Sequence, residues 1–186
     1  MPEIKVRPFA TSDLGILATR PRGYLLGQRV VQALDQAGPV FVDLGGVLTV
    51  DVSAADEAFA RPLKAATPAY RDDGGPLVIC NASSAAIESI GWALANRDIS
   101  ALCSYPGGLV VLGQLDNYLR ETFGWLRAGS GSAESLAREH GLPLKTVSTR
   151  LIHLFRRRVV SREHRSLEFG GACYDYAIPK INGKPA

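Results

Sequence analysis

The chain has 186 residues, 46% of them hydrophobic and 21% charged, with a net charge of +3. That length can bury a core, in one large domain or two small ones, and the composition excludes a disordered or fibrous chain. No run approaches the roughly eighteen apolar residues that a membrane-spanning helix needs, and the opening "MPEIKVRPFA" lacks the apolar core of a signal peptide.

Charge is divided unevenly. Residues 1–126 carry ten basic and thirteen acidic side chains, a balance of −3, whereas residues 127–186 carry eleven and five, a balance of +6. Such a split points to two jobs, one of them contact with a polyanion.

"EIKVRPF" and "GILATR" read as short opening strands, and "RGYLLGQRVVQALDQAG" as a helix ended by Gly38. "PVFVDLGGV" reads as a strand apolar on both faces, hence buried. "SAADEAFARPLKAA" has a helical pattern that Pro62 should kink or interrupt. "GPLVICNA" is a second buried strand, and "SSAAIESIGWALANRD" a helix with Ser83 or Ser84 as its N-cap. "ISALCSY" and "GLVVLG" are strands joined around Pro106, Gly107 and Gly108. Alternation of this kind predicts one α/β sheet layered with helices.

"QLDNYLRETFGWLRAG" places Leu115, Tyr118, Leu119, Thr122, Phe123 and Leu126 on one helical stripe. The expected organisation is an α/β domain over 1–113, a connecting helix over 114–128 and a small domain over 129–186. In the last of these, Ser132 caps a helix over "AESLAREH", Gly141 ends it, and Pro143 fits the first turn of the next. Leu144, Val147, Leu151 and Leu154 then repeat at three- and four-residue steps and form the inward stripe. At about 100° per residue, Lys145, Thr149 and Arg156 lie opposite, flanked by Thr146, Ser148, Ile152 and His153. Cations and hydroxyls on one face suit phosphates and the base edges of a major groove. "RVVSREH" and "GACYDYAIP" read as a hairpin, with "RSLEFGG" as its turn, so that Arg157, Arg162 and Arg165 join the candidate DNA contacts.

Helix, turn, helix and hairpin in that order, over "SLAREHGLPLKTVSTRLIHLFRRRVV" and "YDYAIP", closely resemble the winged helix-turn-helix domains of bacterial transcriptional regulators. The resemblance covers Ser132 to Pro179 and implies binding to double-stranded DNA. "VFVDLGGVLTVDVSAADEAFARPL" resembles the STAS-like domains related to anti-sigma factor antagonists, a likeness that spans about Ile4 to Leu126. It implies phosphorylation of Ser53 by a partner serine kinase, although Val52 stands where that family has a hydroxyl residue and Ala54 where it has glycine. From the residues alone, Ser53 reads as a helix N-cap, with Asp56 reaching back in a capping box.

No catalytic constellation assembles, so no enzyme activity and no cofactor are expected: there is no phosphate-binding G-x-x-x-x-G-K-[ST] loop and no G-x-S-x-G elbow. Asp43 is expected to bind nearby backbone at the end of its strand, and an enzyme would need a cleft near Asp43 and Asn81. The three cysteines, Cys80, Cys103 and Cys173, lie in apolar runs without C-x-x-C spacing, as reduced thiols of a cytoplasmic protein do. No metal is expected, since Cys173, His140, His153 and His164 match no ligand spacing. The expectation is a cytoplasmic transcriptional regulator whose α/β part senses a signal or binds a regulatory protein, a kinase or a second copy of the chain. The alternative is a protein-interaction switch that uses the winged helix as a docking surface.

Overall fold

The computed structural model describes residues 3–5, 7–10, 14–36, 38–66, 74–105, 108–166 and 172–180. β1 (Glu3–Lys5), a 3-10 turn (Arg7–Phe9) and β2 (Ile16–Leu17) lead into helix α1 (Arg20–Leu34). That helix stops at Leu34 with Asp35 as its C-cap, earlier than expected, and Gly38 instead opens β3 (Gly38–Asp43) at φ 89°. β4 (Thr49–Val50) pairs with β2, and β5 (Gly74–Cys80), β6 (Ser100–Tyr105) and β7 (Gly108–Gly113) complete a five-stranded sheet in the order β1-β3-β5-β6-β7. Its pairs are parallel except β6–β7. The class is α/β, as expected.

Between β4 and β5 the chain forms α2 (Val52–Ala55), a π-helical turn (Asp56–Ala60) and α3 (Arg61–Ala66). Pro62 explains the sequence of turns. Proline lacks an N–H and its ring crowds the carbonyl four residues back, and a wider turn just before it relieves both. Helix α4 (Ser84–Ala95) follows β5, with Ser83 Oγ accepting from Ala86 N at 3.2 Å.

The continuous apolar runs of the strands make sense once both faces have a cover. Alternate residues point to opposite sides. Val40, Val42, Leu77, Ile79, Ala101 and Cys103 face α1, α3 and α4 in one core. Val78, Leu102, Leu109 and Val111 face the other way and join a second core.

That second core is completed by the rest of the chain: α5 (Asn117–Trp125), β8 (Gly131–Ser132), α6 (Ala133–His140), α7 (Leu144–Arg156), β9 (Ser161–Ser166) and β10 (Ala172–Ala177). Strands β8, β10 and β9 form an antiparallel sheet in that spatial order. Leu119, Phe123, Val147, Leu151, Leu154, Val159 and Val160 therefore share one apolar seam with Val78 and Leu102. The seam runs across residues 113 and 128, where domain limits were expected. Val159 and Val160 are buried in the link between α7 and β9, not in a strand, because the seam claims both side chains. Among the described residues no helix is long and apolar enough to cross a membrane.

α1 meets the α2–α3 segment without room for side chains at Gly23 and Gly27. A Cβ at Gly23 would strike the Ala54 carbonyl, and one at Gly27 the Glu57 carbonyl. Helix propensity favours alanine at such sites by about 1 kcal/mol, while overpacking costs about 1–3 kcal/mol. Backbone atoms yield less readily than side chains, so overpacking should win. Gly27→Ala is expected to lower the urea midpoint of unfolding, and an unchanged or raised midpoint would mean that α1 moves aside freely.

Candidate nucleic-acid interface

Local chemistry fixes the α6–α7 corner. Ser132 Oγ accepts from Ser135 N at 3.1 Å and Ser135 Oγ accepts from Ser132 N at 3.0 Å, a reciprocal cap for α6. Gly141 ends α6 at φ 64°, a left-handed conformation that favours glycine. Pro143 is the N-cap of α7 and not a first-turn residue; its carbonyl accepts from Thr146 N and Val147 N.

Val147, Leu151 and Leu154 of α7 are fully buried against α5 and the sheet. At roughly 1.5–3 kcal/mol for each such side chain, this stripe determines which way the helix faces. Leu144 departs from the expectation: it is 54% exposed, lying in the first turn beyond the edge of the seam.

Opposite the stripe, Lys145, Thr149 and Arg156 are all exposed, and Thr146, Ser148 and His153 lie half-buried at its edges. Helical geometry places Lys145, Thr149 and Arg156 within an arc of about 40°, spread over about 16 Å of axis. The Thr149 hydroxyl donates to the Lys145 carbonyl at 2.8 Å. The outward face is thus assembled as the sequence implied.

The remaining arginines have different surroundings. Arg157 is half-buried and donates to the Asp98 carbonyl at 3.2 Å and the Gln114 carbonyl at 3.1 Å, with the Asp98 carboxylate alongside. Arg162 lies between the rings of Phe155 and Tyr174, 4.2 and 4.3 Å from their centroids. Both guanidinium groups bind within the protein, which moves them from the outward set to the supporting structure. Arg165 is exposed, but on β9 and not in the hairpin turn, with Nε 3.3 Å from Cys173 Sγ and 3.5 Å from Asp175 Oδ2. The expected turn at 167–171 lies outside the described residues.

Two arginines that the sequence reading passed over complete the mounting. Arg150 points at α5: it donates to Glu121 Oε2 at 3.0 Å and lies 5.6 Å over the Tyr118 ring. Its wheel position, between the stripe and the outward arc, was the available signal. Arg158 is buried at φ 55° and donates to the Gly75 carbonyl at 3.0 Å and the Ala66 carbonyl at 3.4 Å, tying the end of α7 to β5 and α3. Nothing in a run of three arginines singles that one out.

Two of the three histidines make ring contacts. His140 stacks on Trp125 at 3.9 Å and His164 meets Tyr174 edge-on at 5.7 Å. Among the described residues no group of three potential ligands could hold a metal ion. Burial pushes the Cys80 thiol up to about 11 and the Cys103 thiol up to about 12, so both stay protonated at neutral pH.

The α/β part carries a second feature, a groove of about 620 Å³ bordered by Arg20, Asp51, Ser53, Asp56, Trp92 and Arg97. Ser53 is not the N-cap. Asp51 is, in extended conformation, and its Oδ1 accepts from Ser53 N at 2.8 Å and Ser53 Oγ at 2.5 Å. The Ser53 hydroxyl holds the Asp51 carboxyl below its ordinary value, with the Ser53 amide adding to the effect. Asp56 does not reach back to close a box, because Arg97 and Arg61 bind it. Asp43 accepts from Gly45 N at 2.9 Å, the expected backbone role, and also from the Asn81 side chain, Nδ2, at 2.7 Å.

Comparison with protein-family models, with curated proteins and with solved structures finds no match in any of the three.

The hydrogen bonds from Arg97 hold the Asp56 carboxyl below 3.8, with Arg61 acting in the same direction against partial burial. A lowered carboxylate pKa stabilises the fold above the unfolded value and loses that contribution as pH falls through the folded value. Thermal melts of the native chain should therefore drop as pH falls below 3.8. Asp56→Asn should melt lower at pH 7 and lose less on acidification; equal acid profiles for the two would remove Asp56 from the stabilising set.

Proposed function

We propose that this chain is a transcriptional regulator that grips double-stranded DNA with a winged helix-turn-helix made of α5, β8, α6, α7, β9 and β10. In this reading α7 is the recognition helix and the β9–β10 hairpin the wing, and the α/β part is STAS-like and receives the regulatory input. The observation that carries the reading is the outward arc of Lys145, Thr149 and Arg156, exposed along the flank of a helix whose opposite stripe is fully buried. Supporting it are the order helix, strand, helix, helix, strand, strand, in which the β9–β10 hairpin directly follows the outward helix, and the three-stranded order β8-β10-β9. The excess of six positive charges over residues 127–186 supplies the general attraction to phosphate.

The groove beside Ser53 favours a second reading, a protein-interaction switch of the anti-sigma antagonist kind. Trp92 on its border is 60% exposed, and a large aromatic ring beside arginines is a common anchor for a partner. In the regulator reading the same groove is where a kinase, another protein or a second copy would act, in the cytoplasm. Arg20 pairs with Glu57 at 3.1 Å and Arg97 with Asp56, so the acids near Ser53 are already partly neutralised.

Lys145→Ala and Arg156→Ala test the two readings against each other. A charge-assisted contact is worth about 1.5 kcal/mol, roughly tenfold in affinity, and each lost phosphate contact lowers the slope of log K against log salt by about 0.9. Binding of purified variants to genomic fragments selected by the parent chain should show both losses. Variants that bind every fragment as tightly as the parent, with the same salt slope, would discard the DNA reading and leave the interaction switch.

A further inference from the structure

We infer that the DNA-contacting surface continues beyond α7 onto the α/β part, where Lys64 of α3 takes a backbone phosphate next to the one held by Arg156. This rests on the DNA-binding reading above and extends it to a residue outside the helix-turn-helix.

A pocket of about 220 Å³ opens where the two parts meet, bordered by Lys64 from α3, Asp98 and Ser100 before and at the start of β6, and Arg156 and Arg157 at the end of α7. Three cations and one carboxylate border it, and that carboxylate, Asp98, already lies against Arg157. Lys64 borders the pocket, its Nζ donates to the Arg97 carbonyl at 3.1 Å, and the residue is exposed. An ammonium group offers three donors, so this bond orients the group without consuming its capacity.

Geometry leads the phosphate chain to this point. Lys145 and Arg156 differ by only about 20° around the axis of α7 and by about 16 Å along it, while a B-form major groove is about 12 Å wide. A helix laid in the groove with Lys145 at one edge brings Arg156 to the phosphates of the opposite edge. Lys64 borders the same pocket as Arg156 and so meets that same strand.

The placement does not depend on a flexible joint. Arg157 and Arg158 bond the end of α7 to the carbonyls of Asp98, Gln114, Gly75 and Ala66, and Ala66 ends the helix that carries Lys64. The surrounding charge argues the same way. Residues 1–126 are net acidic and repel DNA, so a cation at the junction counteracts that repulsion where the duplex comes closest. Arg61, one turn earlier on α3, is turned to Asp56 and Glu57 instead and serves as a control.

The test measures binding of the full chain to a fluorescein-labelled duplex of random sequence by anisotropy, in salt from about 50 to 200 mM. Lys64→Gln should lower the salt slope by about 0.9 and weaken binding, Lys64→Arg should restore both, and Arg61→Gln should leave both at the parent values. Thermal melts separate folding from contact: a Lys64→Gln variant that melts lower yet keeps the parent slope overturns the inference, as does one with unchanged melting and unchanged slope. If Lys64→Gln keeps the slope while Lys145→Gln lowers it, the extended surface fails and the recognition helix stands. If Lys145→Gln also keeps the slope, both fail together.

Discussion

Everything in this molecule is organised by a sheet that must be covered twice. Strands apolar on both faces cannot leave either face in water, and the helices between the strands cover only one. The second face, with Val78, Leu102 and Val111, is closed by Leu119, Phe123, Leu151, Leu154 and Val160 from the last third of the chain. α5 and α7 therefore serve as roof for the sheet and as scaffold for the outward arc at once. Polar groups reinforce the joint, with Arg150 holding α7 to α5 and Arg158 holding its end to β5 and α3.

Sharing a core restricts how regulation could act. Helices tethered by a loop could swing, but helices that close a sheet cannot leave without exposing it. A signal received by the α/β part would then act on the availability or spacing of whole molecules, or through strain in the shared elements. One structural line is short: α2, the π turn and α3 run from Ser53 at the groove to Ala66, whose carbonyl accepts from Arg158 just past α7. One end of that segment touches the proposed input site, and the other the mounting of the proposed recognition helix.

Much of this was legible in the residues, for stated reasons. Continuous apolar runs marked the buried strands, Ser83 and Ser132 marked helix starts, and Gly141 marked a stop, because each is governed by contacts within a few residues. The outward arc followed from helical spacing alone. Ser53 misled because Asp51, two residues earlier, is also a good cap and alone keeps the extended backbone that a cap needs. Leu144 misled because periodicity does not tell where a packed stripe ends. The division of labour within Arg156, Arg157 and Arg158 was illegible, since it is set by Asp98, Gln114, Gly75 and Ala66, all at least 43 residues away in sequence. The same holds for the shared seam, which no local pattern announces.

The two tryptophans, Trp92 on α4 and Trp125 on α5, lie on helices that cover opposite faces of the sheet and so report the two sides separately. Urea unfolding of Trp92→Phe and of Trp125→Phe, followed by the fluorescence of the one remaining tryptophan and by far-ultraviolet circular dichroism, tests whether the chain is one cooperative body. A shared core predicts that fluorescence and dichroism trace the same transition in each variant. A Trp125 signal that melts out at lower urea, while the dichroism of the α/β part persists, would contradict it.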